Sequence, residues 1–416
     1  MSHVADDERR AHVILLAYAC DPGAGSEEGA GWAWTVAAAQ IASITLVTNW
    51  FASDRVEAAV RRDGLDIDVV TVSGPAWLKV ISRRRWGGFV YYVIWQRFAA
   101  RTIRTIERRR PADVFHHLTW ASDSLPSALV VSKAPVRLWG PVGGSTGTAR
   151  SLYRYMTPRG QFHQVLRGAT NACFRRVAAH RVARTATTVV AMNADVAARF
   201  EPVARRVVTE PNVALEPLVP DAGERARPDG DELRTALFVG RLIAWKGLLL
   251  AIRSLQHAPG WRLVVLGEGD DRAPGVRLAR ELGLEGRVEF RGLVPRDDVL
   301  TALQAGDALL FPSFHDSAPW SVGEASMIGC PVVCLDTGGV ALVADANAHV
   351  VPVDGSEPLP ARIGARLEQL DATRTPTDRW SIDRLPNLLR EWYELDTAST
   401  VERRDELALA GRGASR

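Results

Sequence analysis

One rhythm constrains this chain more than any other feature: a short apolar run, a turn-forming loop, then a stretch of helical periodicity. The runs HVILLAYA (12–19), SITLVT (43–48), DIDVVTVS (66–73), ADVFHHL (112–118), PVRLW (135–139) and TTVVAM (187–192) are rich in β-branched residues. Their length and composition suit strands buried on both faces. Helical patterns such as 32–40 and 54–62 lie between them. A polar, Pro/Gly-rich stretch at 211–232 interrupts the rhythm. It restarts with RTALFVG (234–240), WRLVVLG (261–267), RVEFRG (287–292), DALLFPS (307–313), CPVVCLD (330–336) and HVVPVD (349–354). This alternation predicts an α/β chain with two Rossmann-like, doubly wound domains facing across a cleft. The expected divisions are 1–212, a linker at 213–232, a second domain at 233–375, a helix within 376–396 packing back on the first domain, and a flexible tail at 397–416.

At 416 residues, 47% hydrophobic and 24% charged, the chain is not a disordered or fibrous protein. Its cysteines, Cys20, Cys173, Cys330 and Cys334, are too few for a disulfide scaffold and match no common zinc spacing. The apolar stretch 12–19 is too short and wrongly flanked for a signal peptide, and no apolar run approaches the ~20 residues that cross a bilayer. A cytoplasmic protein is expected. Net charge is only +3, yet residues 79–110 hold one Lys, nine Arg and a single acid, together with the aromatic run FVYYVIW (89–95). That segment reads equally as an interfacial helix touching anionic membrane from the cytoplasmic side or as a surface helix burying an apolar stripe. Aromatic residues clustered in this way argue against nucleic acid as a partner.

Two constellations carry chemistry. Gly240 ends an apolar run, and Arg241 and Lys246 come after it at the mouth of a helix, where a guanidinium fork, an ammonium and the helix dipole all favour an anion. Lys246 is one of three lysines beside 48 arginines, so an ammonium at this position stands out. Further on, Asp316 lies past a strand end and Glu324 in the next helix; carboxylates there suit hydroxyl-rich ligands. Backbone N–H groups around Trp320, Ser321 and Val322 are placed to hold a diphosphate. The DxD-like pair Asp66 and Asp68 sits inside a β pattern and reads as strand-edge acids, not as a metal site.

FVGRLIAWKG, then GEG (267–269), then the Asp316–Glu324 segment running into GCPVV together resemble retaining GT-B glycosyltransferases of family GT4. YACDPGAGSEEGAGWAW (18–34), FHHLTWASDSLPS (115–127) and WGPVGG (139–144) resemble a bacterial branch of that family that serves surface-polysaccharide and antibiotic or other secondary-metabolite biosynthesis. The resemblance implies an acceptor-binding N-terminal domain and a nucleotide-sugar-binding C-terminal domain. It implies metal-independent, retaining hexosyl transfer from a nucleoside-diphosphate sugar to a hydroxyl of a glycan, lipid-linked or natural-product acceptor, with no further cofactor. By the same resemblance Arg241 and Lys246 hold the diphosphate, Glu324 binds the ribose, and Gly267 and Gly269 allow close nucleotide approach. Leu293, within 291–294, lies by the base. Asp316 stands where the family usually has Glu, a position that serves the transferred sugar. A loop at 25–31, with Gly25, Gly29 and Gly31, closes over the phosphates. His116 or His117 faces the reacting centre, His117 being the choice of the two. A sugar-phosphate synthase or phosphorylase of the same fold and a non-catalytic sugar-nucleotide-binding scaffold are the rival readings. The former requires basic residues of the N-terminal domain aimed into the cleft.

Overall fold

The computed structural model describes residues 10–75, 77, 87–144, 146–174, 178–218, 233–371 and 373–395. Residues 79–86 of the basic segment, 219–232 of the expected linker and the tail 397–416 therefore lie outside the described residues. Two all-parallel sheets are present. The first holds β1 (His12–Ala17), β2 (Ser43–Asn49), β3 (Ile67–Val72), β4 (Val114–Thr119), β5 (Val136–Val142), β6 (Thr188–Ala191) and β7 (Val207–Thr209) in the order β3-β2-β1-β4-β5-β6-β7. The second holds β8 (Arg234–Val239), β9 (Trp261–Leu266), β10 (Val288–Gly292), β11 (Ala308–Phe311), β12 (Val332–Leu335) and β13 (Ala348–Val351) in the order β10-β9-β8-β11-β12-β13. Six helices frame the cleft and the domain contacts: α1 (Ser26–Ile41), α2 (Gly87–Arg109), α3 (Pro158–Phe174), α4 (Arg296–Ala305), α5 (Trp320–Ile328) and α6 (Leu385–Trp392).

Both faces of each sheet are covered, as parallel strands require. In β1 the side chains alternate: Ile14 and Leu16 enter one apolar cluster, and Val13, Leu15 and Ala17 enter the other. Three ladders slip register near their carboxyl ends, at Leu16/Ala17, Trp139/Val142 and Phe290/Gly292. Such irregularities bend the departing chain and re-aim the residues beyond them.

The aromatic run of the basic segment belongs to the core. On α2, Tyr91, Tyr92, Trp95, Ala99 and Ile103 are fully buried, forming one helical stripe. The Tyr18 ring lies 4.9 Å from that of Tyr92 and 5.0 Å from that of Trp95. Burying each such ring contributes about 1.5–3 kcal/mol, which fixes this face inward. Phe89 stays 42% exposed, and Arg97, Arg101, Arg104 and Arg108 line the outward side.

The chain crosses between domains twice, and the crossings are tied together. The Leu215 N–H donates to the Trp380 carbonyl at 2.9 Å, and the Ile382 N–H returns the bond to Leu215 at 2.9 Å. α6 then packs on α1, where the Trp392 and Trp34 rings stack 5.7 Å apart. The start of the connection is thus a packed element: Val213, Ala214 and Leu215 are buried.

Candidate active site

The cleft is built from loops at the carboxyl ends of the strands. From the N-terminal domain come the residues after β4, β5 and β6: Trp120, Ser122, Ser124, Gly143, Gly144 and Met192. From the C-terminal domain come Arg241 and Trp245 after β8, and His315, Asp316 and Ser317 after β11. They enclose a cavity of about 520 Å³. A second cavity, of about 860 Å³, opens between the start of α3 and the loop Arg241–Trp245, and Arg159, His163 and Arg277 line it. Arg241 borders both and is exposed.

Lys246 ends a short 3-10 turn, Ala244–Lys246, and Gly247 at φ 79° redirects the chain into the next helix. A side chain at Gly247 would strike the Pro312 carbonyl, so the loop lies flat against the segment that carries Asp316. Lys246 Nζ stands 2.8 Å from Asp316 Oδ2 and 4.8 Å from the Phe311 ring centroid. The Ser313 hydroxyl donates to the same carboxylate oxygen. Burial works to raise the Asp316 pKa, but the Lys246 ammonium and the Ser313 hydroxyl outweigh it and hold the carboxyl below the usual range.

Glu324, in α5, is buried and accepts a hydrogen bond from Arg296 Nε at 2.7 Å. Burial pushes its pKa up, and the Arg296 guanidinium opposes that shift. Arg296 occupies the first turn of α4. Trp320, Ser321 and Val322 begin α5, but Val322 points into the core and Trp320 reaches across to α1. Leu293, just past β10, is 81% exposed.

The glycines act differently from the expected nucleotide cradle. α1 begins at Ser26, so most of 25–31 is helix and not a closing loop. A Cβ on Gly29 would meet the Ala24 carbonyl and the Trp320 ring, and one on Gly31 would meet the Ala19 carbonyl. Both glycines let α1 sit close to its surroundings, including the other domain. Gly267 and Gly269, at φ 146° and 155°, press against the carbonyls of Gly240 and Leu242 and zip the two loops together. Their backbone bonds, Leu242 N–H to Glu268 and Asp271 N–H to Leu242, complete that zip.

Neither histidine of β4 lines the cavities. His116 is buried between the Gly140 carbonyl (2.7 Å from Nε2) and the Tyr393 hydroxyl (2.9 Å from Nδ1), tying α6 to the sheet. Burial lowers its pKa to about 4. His117 is equally buried, lies 3.4 Å from the Tyr92 hydroxyl, and is lowered by burial to about 3. At the cleft the imidazole is instead that of His315, stacked on Trp245 with ring centroids 5.3 Å apart. Sequence reading missed His315, Glu27 and Arg296. Asp66 and Asp68 sit at the amino end of edge strand β3, the opposite end from the cleft.

Residues 224–363 match the family model for glycosyl transferases group 1. The chain is 28% identical over 265 residues to the 2-deoxystreptamine glucosyltransferase of Streptomyces kanamyceticus, covering 59% of this chain and 65% of that one. It is 35% identical over 128 residues to the D-inositol 3-phosphate glycosyltransferase of Xylanimonas cellulosilytica, covering 30% of this chain and 31% of that one. The chain thus spans less than two thirds of these relatives. Among solved structures, sucrose-phosphate synthase from Thermosynechococcus elongatus superposes with a TM-score of 0.58 at 16% identity, covering 98% of this chain and all of that one. HepE from Anabaena, in complex with UDP, gives 0.55 at 16% identity, covering 96% and 100%. At such identity these likenesses speak for the fold. The segment that carries Arg241, Lys246, Asp316 and Glu324 thus matches the glycosyl transferases group 1, and the whole chain has the GT-B fold.

Proposed function

We propose that this protein is a metal-independent, retaining glycosyltransferase that uses a nucleoside-diphosphate sugar. The Lys246–Asp316 pair and exposed Arg241 carry the reading: Arg241 and Asp316 line the interdomain cavity, and Lys246 is joined to it through its ion pair with Asp316. A departing diphosphate places its new charge there, and preoriented cations stabilise it without reorganisation. Because Arg241 and Lys246 supply that charge, the reaction needs no divalent ion. In this reading Glu324, held by Arg296, binds the ribose hydroxyls. The sugar passes to the acceptor on the face from which the nucleotide leaves, and the leaving phosphate takes the acceptor's proton. Natural-product and inositol-phosphate acceptors, the kinds that the relatives' names carry, define the acceptor range.

The test is turnover of nucleotide sugars in EDTA, with the product's anomeric configuration read by NMR. Turnover with retention in the wild type, and loss of that turnover on Arg241→Ala or Lys246→Ala, supports the reading. Near-normal rates in both variants contradict it.

Among the described residues, contact with anionic membrane through 79–110 draws on the outward arginines and the exposed Phe89, since Tyr91, Tyr92 and Trp95 face the core. Among the described residues no helix is long and apolar enough to cross a membrane. Co-sedimentation with anionic vesicles at low salt supports the contact, and failure to bind removes it.

A further inference from the structure

The 860 Å³ cavity shares Arg241 and Trp245 with the smaller one, but Asp316, His315 and Ser317 border the smaller and not this one. It lies beside the reacting centre and not at it. Both domains build it. The N-terminal domain supplies the first turns of α3, with Arg159, His163 and Gln164. The C-terminal domain supplies the start of the helix Arg272–Glu281, with Asp270, Asp271 and Arg277. Gly160 and Ala244 also line it, and a Cβ on Gly160 would strike the Ala244 methyl, so the two domains touch here. Two polar side chains in the wall are buried: Asp271 is 3% exposed and Gln164 is 6% exposed. Neither side chain holds a hydrogen bond among the described residues, and Asp271 occupies the N-cap position of its helix without capping it. Burial, with the Asp270 charge adding to it, pushes the Asp271 carboxyl up to about 6.

We propose that this cavity is a second ligand site, which takes a hydroxylated ring carrying one anionic group, a phosphate ester or a carboxylate. The first residues of α3 and of Arg272–Glu281 both open on it, so two helix dipoles favour an anion there. Arg159, Arg277, Arg241 and His163 add donors from both domains. A bare anion in this space also meets Asp270 and Asp271 and is repelled by them. A ring hydroxyl is matched instead: it donates to the buried Asp271 carboxylate, and the Gln164 amide can donate or accept. The Trp245 indole, with Ile243 and Pro274, offers an apolar face to the ring. Arg241 cannot serve this anion and the donor diphosphate at full strength together, so each ligand weakens the other by the same factor. An acceptor has to bind alongside the donor; the ligand of this site opposes it. The coupling rests on the donor role of Arg241 proposed above, whereas the site does not.

Glucose 6-phosphate, glucuronate, glucose and inorganic phosphate are titrated calorimetrically at pH 8 into the full chain without nucleotide. The wild type should bind glucose 6-phosphate or glucuronate about ten times more tightly than glucose or phosphate, and the tighter of the two identifies the anionic group. Arg159 and Arg277 are exposed, so Arg159→Ala and Arg277→Ala should fold normally. Each should weaken the tighter ring about ten-fold and leave nucleoside diphosphate affinity unchanged. Asp271→Asn should narrow that ring's advantage over inorganic phosphate to about three-fold. With the ring at saturation, the nucleoside diphosphate that binds best should bind about three- to ten-fold more weakly. Phosphate bound as tightly as either ring, no probe bound, full ring affinity in both arginine variants, or a nucleotide affinity that the ring leaves unchanged or raises overturns the proposal. If a nucleoside diphosphate binds while every probe fails, only this inference falls. If an anionic ring binds and no nucleoside diphosphate does, the glycosyl-transfer reading falls and the site stands.

Discussion

Lys246 and Asp316 form an ion pair at 2.8 Å although 70 positions separate them in the chain, and the Ser313 hydroxyl shares the carboxylate. The pair holds the ammonium at the cleft before any donor arrives. Asp316→Asn should therefore free Lys246 while keeping the fold, lowering kcat/KM by about 10- to 100-fold. Lys246→Ala should cost about 100- to 1,000-fold, in line with the loss of one transition-state donor. Steady-state kinetics on both variants check the order; an Asp316→Asn enzyme with wild-type kcat/KM contradicts the positioning role.

Glu324 and Arg296 should be read through the nucleotide. Arg296→Ala leaves a buried carboxylate without its cation, so Glu324 takes up a proton more readily. Nucleotide affinity of this variant should weaken by about 10-fold, and the loss should grow as pH falls from 8 to 6. Calorimetric titration across that range measures it.

What the sequence revealed, and what it hid, divides along physical lines. Buried parallel strands are written locally, as apolar β-branched runs, and every run read as a strand before 375 overlaps one. β7, only Val207–Thr209, is too short to form a pattern. The aromatic run on α2 was ambiguous because Tyr and Trp suit a core and an interface equally; Tyr18, more than 70 positions away, decides it. Asp316 and Glu324 were legible as carboxylates after a strand and in the next helix, but their pairings with Lys246 and Arg296 were not, since pairing depends on tertiary contact. One local signal was available for Arg296: a cation in a helix's first turn opposes the macrodipole and needs a compensating partner. Glu27 was hidden because an acid in a glycine-rich stretch looks like a solvated loop residue. Its burial arises from the approach of Asn212 across the domain crossing.

Glu27 should carry a stability cost. With its folded-state pKa near 7 and an unfolded value of about 4.3, the folded protein holds a proton that the unfolded chain has released. Stability therefore falls as pH rises through that window, and the cost is fully present above it. Glu27→Gln should be more stable than wild type at pH 8, by about 1–2 kcal/mol after solvent screening, and equal to it near pH 4. Denaturant melts at the two pH values check the sign.

Trp392 should matter for stability and not for chemistry. Its stack on Trp34 fastens α6 to the N-terminal domain, and Trp392→Ala should cost about 3–5 kcal/mol. Denaturant unfolding, followed alongside nucleotide affinity at low denaturant, checks that the loss is confined to stability.

The cation pair at the cleft can be tested without knowing the donor sugar or the acceptor. UDP, dTDP, ADP and GDP, each with its nucleoside, are titrated calorimetrically in EDTA into the wild type, Arg241→Ala and Lys246→Ala. At least one diphosphate should bind the wild type with micromolar affinity, and each substitution should weaken it by about 10-fold or more while leaving the nucleoside's affinity unchanged. Binding of no diphosphate, or equal affinity in all three proteins, would contradict the assignment of Arg241 and Lys246 to the donor.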